Sequence, residues 1–408
     1  MPRRRDANTF LLIIGTVAAF AILTSTMSKS PALPLLAQNL GATSAEIGLI
    51  GAISPIPGIL VSSIAGAYSD RNGRQRILLY SLIIFATAPF GYLFVTAAWQ
   101  LIIIRFYHGF ATAVFMPVAM AAVADRFPSS VRGEKLGTYS SFTMVGRGIA
   151  PFLGGSLMFW FGFQSVYLTC GITAVIALGL FFLIPWGEPA SVVRAKKFEG
   201  SMLSALSNVV KDRHIMITSS MEGVQYFAVG AFETFVPIYA STVGYNDFQI
   251  GIIVGLQVVS MLIAKPFMGR VSDREGRAPS IVIGLLVGAV AIALIPYVAD
   301  FAILSLLSIG FGVTVATVTA STSALVCEIA GTSAHGSAIG VLSSVMDIGH
   351  SSGPLVTGAL VGAVSFALGF GTAAVLLVVG AIVFALTVWR QMRKQKTVVK
   401  CEPTEHQD

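Results

Sequence analysis

Charge is scarce in this chain of 408 residues. Only 11% are Asp, Glu, Lys or Arg, against about 25% in ordinary soluble domains. Apolar residues make up 55%, and a water-soluble fold cannot hide that much apolar surface, because long soluble chains divide into domains with polar exteriors. Cysteine is rare too. Cys170, Cys327 and Cys401 are too scattered for a disulfide framework or a thiolate metal site. The five histidines form no ligand pair, and no phosphate-binding loop occurs. A membrane enzyme or an ATP-driven pump is therefore disfavoured, and neither a metal nor a cofactor is expected.

What the chain does have is long apolar runs. About 20 apolar residues span a hydrocarbon core about 30 Å thick. In lipid the backbone must satisfy its own hydrogen bonds, which leaves helices or a closed barrel. The runs are continuous rather than alternating, so they select helices. Twelve spans are expected, at 10–36, 45–68, 77–97, 100–124, 135–161, 165–185, 214–240, 248–268, 279–298, 301–325, 338–361 and 366–389. The fold class is an all-α polytopic membrane protein. Residues 1–185 and 214–389 form two six-helix bundles, joined by a polar linker at 186–213 and followed by a tail at 390–408.

The turns after odd-numbered spans contain no Lys or Arg. Apart from Lys29, Arg105, Arg147 and Lys265, the basic residues gather at the termini, in the linker and in the turns after even-numbered spans. The positive-inside rule then puts both termini on the cytoplasmic side of the cell's inner membrane. This topology, with attraction to an anionic leaflet, accounts for the net charge of +7 without a nucleic-acid partner. Arg3, Arg4 and Arg5 precede an apolar run as in a removable leader. However, Pro34 in that run has a counterpart in Pro237, so the first span belongs to the fold.

The stretch "GAYSDRNGRQR" at 66–76 is dense in charge, and it is nearly rewritten as "GRVSDREGRAP" from Gly269. Gly66, Ser69, Asp70, Arg71, Gly73 and Arg74 recur 203 positions on as Gly269, Ser272, Asp273, Arg274, Gly276 and Arg277. The same offset relates Gly48 to Gly251, Asp125 to Glu328, Gly146 to Gly349, Pro151 to Pro354 and Gly155 to Gly358. Two parallel six-helix halves with a substrate site between them at the bilayer midplane are a transporter design.

The chain at this point resembles the major facilitator superfamily over residues 10–389, nearest in motif to its twelve-helix drug–proton antiporters. The turn 66–76 looks like that family's signature loop. "RFYHG" at 105–109 resembles its fourth-helix motif, with His108 where Gln is usual. Gly137, Gly146, Ala150, Pro151, Gly154 and Gly155 resemble the fifth-helix pattern of exporters, with Ala150 in place of Gly. These glycines and prolines, with Gly349, Gly353 and Pro354, are expected to pack helices closely. The signature turn is expected to act as a conformational latch: Gly66 and Gly73 shape it, and Asp70 and Arg71 lie in it. Arg74 would pair with Asp125, and in the repeat Arg277 with Glu328, beside Asp273, Arg274 and Gly276. The expectation is that such pairs hold the halves together on the cytoplasmic side; the alternative is that the charges only set topology.

Charge inside a membrane costs at least about 2.5–3.5 kcal/mol per group, which makes each such residue a functional candidate. Lys29, Arg105, His108, Arg147, Glu222, Glu233 and Asp347 are the candidates for substrate or proton coupling. Glu222 and Glu233, three helical turns apart, should share one face of the seventh span. Structural readings stand beside these: a hydrogen-bonded neutral His108, snorkelling Lys29, an Arg147 buried in a helix interface, carboxylates bonded to a neighbouring helix. The expected function is secondary transport of a small organic or amphipathic solute by alternating access, with proton-coupled efflux favoured. Uptake of an organic anion, movement of a lipid-like molecule, or a non-transporting sensor or assembly factor are the alternatives. The partners expected are the bilayer, the solute and protons, with the monomer as the working unit.

Overall fold

The computed structural model describes residues 4–59, 61, 68–69, 73–186 and 209–390. The first half contains α1 (Arg4–Met27), α2 (Ala32–Asn39), α3 (Ser44–Ala52), α4 (Arg74–Gly91), α5 (Ala98–Arg126), α6 (Ser129–Phe161) and α7 (Phe163–Phe181). The second contains α8 (Arg213–Val243), α9 (Asp247–Glu275), α10 (Arg277–Leu294), α11 (Phe301–Ala363) and α12 (Phe366–Phe384). All these elements are helical. α1 and α2 form one expected span, broken at residues 28–31, and α11 holds two, joined through the non-helical Gly331. Most of the linker (187–208) and the tail (391–408) lie outside the described residues, as do Gly66, Asp70 and Arg71 of the signature turn.

The repeat is visible in backbone detail. Thr43 and Glu46 make a reciprocal capping box at the start of α3, and Asn246 and Gln249 make the same box at the start of α9, 203 residues later. Gly73 and Gly276 both carry positive φ, 88° and 106°, in front of α4 and α10. A side chain there would be strained, which explains why the turn keeps glycine at both places.

Eight helical segments among the described residues are long and apolar enough to cross a membrane. The expected spans beginning with α3, and those formed by α6, α8 and the second arm of α11, fall short of that mark. Each of these four places side chains on the central cavity: Ser54, Arg147, Glu233 and Asp347 respectively. In α6, α8 and the second arm of α11 polar lining lowers the mean hydropathy, and neighbouring helices rather than lipid solvate it. The span that begins with α3 is apolar over Ser44–Ile59 and continues into residues outside the described ones.

Within the first half, α1 packs on α6 and α7, and α4 on α5 and α7. In the second, α8 packs along α11 and α12, and α10 along both of those. The halves meet through α3 against α11 and α6 against α9. At these seams a Cβ on Gly48 would strike the Pro354 carbonyl and Gly358, and one on Gly251 would strike the Pro151 carbonyl and Gly155. At the other end of the molecule, Gly133, Gly137, Gly336 and Gly340 meet nothing within 4 Å among the described residues. The halves are thus pressed together at the end remote from the signature turns and parted at the end that bears them.

The expected packing glycines divide accordingly. A Cβ on Gly146 would fall on the Ala19 carbonyl of α1, one on Gly349 on the Gly223 carbonyl of α8, and one on Gly353 on Phe227 of α8. Gly154 lies against Met27. Gly137 is the exception: among the described residues nothing lies within 4 Å of a Cβ placed there.

Candidate functional site

A cavity of about 370 Å³ lies between the halves. The broken first span brings Lys29 to its wall. There Lys29 Nζ donates to Glu233 Oε2 at 2.6 Å and lies 3.0 Å from His350 Nε2. His350 Nε2 is in turn 3.1 Å from Glu233 Oε2. Lys29 comes from the first half, and Glu233 (α8) and His350 (second arm of α11) from the second. One cation, one carboxylate and one imidazole therefore tie the halves across the cavity. Ser30 Oγ adds a hydrogen bond to the Glu233 carbonyl oxygen at 3.1 Å. Ser30 and Glu233 are themselves related by the 203-residue offset, so the link sits where the two copies of the repeat face each other.

The three groups compete for few protons. With Nε2 unprotonated, the His350 ring accepts from the Lys29 ammonium; with Nε2–H, it donates to Glu233 instead. One tautomer cannot do both. The edge of Tyr226 meets the His350 ring, 5.8 Å between centroids. Side-chain exposures of 24% for Lys29 and 21% for Glu233 leave the pair reachable from the cavity.

Arg105 and Arg147 also line the cavity, from the adjacent helices α5 and α6. Arg105 is 3% exposed, and its Nε has no hydrogen-bond partner among the described residues. Arg147 is exposed to the open cavity and is not locked in a helix interface; no carboxylate lies within 4 Å of it among the described residues. Asp347 lines the opposite side, one helical turn from His350. These two do not bond to each other, since His350 turns toward Lys29 and Glu233.

Two candidates lie elsewhere. His108 is buried off the cavity, edge-on to Phe85 at 5.7 Å and beside Tyr92. Position 108 is on the side of α5 that faces its own bundle. Glu222 shares its helix face with Tyr226 and Glu233, but at its level that face is covered by the first arm of α11, and Thr322 Oγ1 donates to Glu222 Oε2. It is 5% exposed and absent from the cavity wall.

The expected latch pairs form, but within halves. Arg74 Nε reaches Asp125 Oδ2 at 3.1 Å, joining α4 to α5, and Arg277 Nε reaches Glu328 Oε1 at 3.0 Å, joining α10 to α11. Arg277 also pairs with Asp273 in its own turn, and Arg274 is exposed. Neither interhelix pair crosses between the halves in this conformation. The reason is geometric: each Arg opens the helix that packs beside its acidic partner's helix. His350, the 203-residue counterpart of Arg147, lines the cavity without being among the candidates that the sequence singles out. The i, i+3 pair Asp347–His350 inside a span was the available signal for its place on the cavity.

Residues 15–248 and 218–403 match the sequence model of the family described as Major Facilitator Superfamily. The chain is 28% identical to the multi-drug resistance efflux pump PmrA homolog of Lactococcus lactis subsp. lactis, over 67% of this chain and 69% of that protein. It is 24% identical to the multidrug resistance protein MdtG of Klebsiella pneumoniae, over 85% of this chain and 84% of that protein. Among solved structures, a bacterial homolog of the human lysosomal transporter Spinster, inward-facing and unoccupied, superposes with a TM-score of 0.80 at 16% identity. That match covers 94% of this chain and 96% of the other.

Proposed function

The chain belongs to the Major Facilitator Superfamily, and from that premise we propose that it is a proton-coupled exporter of small organic or amphipathic solutes. A multi-pass membrane transporter of this family works between two halves, and the coupling device must therefore be felt by both. The Lys29–Glu233–His350 link is the observation that carries the reading, because it joins the halves at the cavity wall and each member can exchange a proton or an ionic partner.

With Glu233 ionised, the Lys29 ammonium holds the first half to the second. A proton taken up on the Glu233 carboxylate removes the negative partner, and Lys29 turns to the cavity. Loss of that proton restores the pair. The link thus offers two discrete arrangements, as the switching element of alternating access requires. The glycine seams at Gly48 and Gly251 close one end while the other stays open. On the reading that the termini are cytoplasmic, which the distribution of Lys and Arg supports, the open end faces inward, where an exporter collects its solute. Export is favoured over uptake by the efflux names of the curated relatives.

The test is proton movement in sealed proteoliposomes carrying the purified protein and a pH gradient, followed by an interior pH dye. Ethidium, naphthalene-2-sulfonate and naphthalene-2-methanol serve as cationic, anionic and neutral probes. Collapse of the gradient on adding any of them, abolished by Glu233→Gln, is the expected result. No probe-dependent proton flux, or flux indifferent to Glu233→Gln, overturns the reading.

A further inference from the structure

We propose that the cavity takes an amphipathic organic anion whose single oxyanion head, a carboxylate or sulfonate, sits on Arg105 and Arg147. This rests on the transporter reading and names the chemistry of its solute. The charges of the wall decide it. Lys29 and Glu233 neutralise each other in their pair at 2.6 Å, which leaves Arg105 and Arg147 against Asp347. A cation entering this space would face two guanidinium groups and one carboxylate. A monoanion completes the balance.

Arg105 supplies the specific contact. It is almost fully buried, its Nε lacks a hydrogen-bond partner among the described residues, and it lines the cavity. A buried guanidinium donor is costly to leave unmatched. Its planar fork fits an oxyanion with two parallel bonds, which a neutral acceptor cannot repay equally. Arg147, on the neighbouring helix and open to the cavity, adds the second positive charge.

The fold does not demand these cations. At the positions related by the 203-residue offset, Arg105 is matched by Ser308 and Arg147 by His350. The first half therefore presents the cationic wall and the second half does not. Met116, Val229, Val258, Met261 and Met346 provide an apolar lining that can repack around a hydrocarbon body. A volume of about 370 Å³ lies in the range of about 300–1,000 Å³ that small-molecule sites occupy.

The experiment is isothermal titration of the full-length protein in nanodiscs of phosphatidylcholine, without any proton gradient. The probes are naphthalene-2-sulfonate and naphthalen-2-yl-trimethylammonium, which share an apolar body and differ in the sign of charge. The sulfonate is expected to bind at least tenfold more tightly than the ammonium. Arg105→Gln and Arg147→Gln should each weaken it tenfold or more, with Arg105→Lys recovering part of the loss and Asp347→Asn tightening binding severalfold. Arg147 is exposed, so its variant tests the idea even where a change at buried Arg105 impairs folding. Equal or tighter binding of the ammonium, binding of neither probe, or sulfonate binding unchanged in Arg147→Gln overturns the proposal. The two readings fail separately. Proton flux driven by ethidium with no sulfonate binding leaves the exporter standing and removes the anion. Sulfonate binding with no proton flux for any probe does the reverse.

Discussion

Gly48 and Gly251 stand 203 residues apart and make the same contact twice, each pressing its backbone into a Pro–Gly stretch of the opposite half. Gly48 meets Pro354 and Gly358, and Gly251 meets Pro151 and Gly155. The closed end of the transporter is built from these two symmetry-related seams. No side chain fits in either.

Gly251→Ala should therefore push the seam apart, because the added methyl meets backbone, which cannot rotate away. Overpacking of this kind costs about 1–3 kcal/mol, enough to move a finely balanced equilibrium toward the state that is open at this end. Spin labels placed across the seam on α6 and α9 should report longer distances in Gly251→Ala. Unchanged distances would mean that the contact does not govern the closed state.

Glu233→Gln should reduce proton-driven transport at least tenfold and leave the protein folded, since the amide still accepts from Lys29 but carries no charge. Glu222→Gln should leave transport within about twofold, because Glu222 is buried against Thr322 away from the cavity. Rates from proteoliposomes with both variants decide the matter. The opposite ranking would assign coupling to Glu222.

Thr322→Val removes the hydroxyl that donates to Glu222. Leaving a buried acceptor unmatched costs about 1–3 kcal/mol, so a lower melting temperature in detergent is expected. Glu222→Leu in the same background should recover part of it. Additive losses in the double variant would show that the two side chains act independently.

Asp125→Asn and Glu328→Gln are expected to cost less than about 1 kcal/mol of stability each, as exposed ion pairs do. The carboxylates of both pairs are about half exposed, at 49% and 53%. Denaturation midpoints should shift little and shift less still in high salt. A large loss would reveal a role beyond tying helices within one half.

Lys29→Ala should destabilise the protein more than the double variant Lys29→Ala/Glu233→Ala, since the single change strands a carboxylate inside the bundle. A double-mutant cycle on thermal stability measures the coupling. A coupling energy near zero would exclude the link as a bond between the halves.

Composition, basic turns and the 203-residue repeat determined the membrane class, the twelve-span duplicated plan and even the recurrence of caps and positive-φ glycines. These follow from local rules of hydropathy, charge and backbone conformation. The charged residues inside spans were visible for the same reason, and so were the partners Arg74–Asp125 and Arg277–Glu328. Only the tertiary structure decided that Lys29, Glu233 and His350 form one link, and that Glu222 and His108 turn away from the cavity. A helix whose neighbours are all apolar carries no periodic mark of which face meets lipid, partner helix or cavity. That choice depends on how the two halves are placed about their common axis, which is a property of packing and not of any one segment.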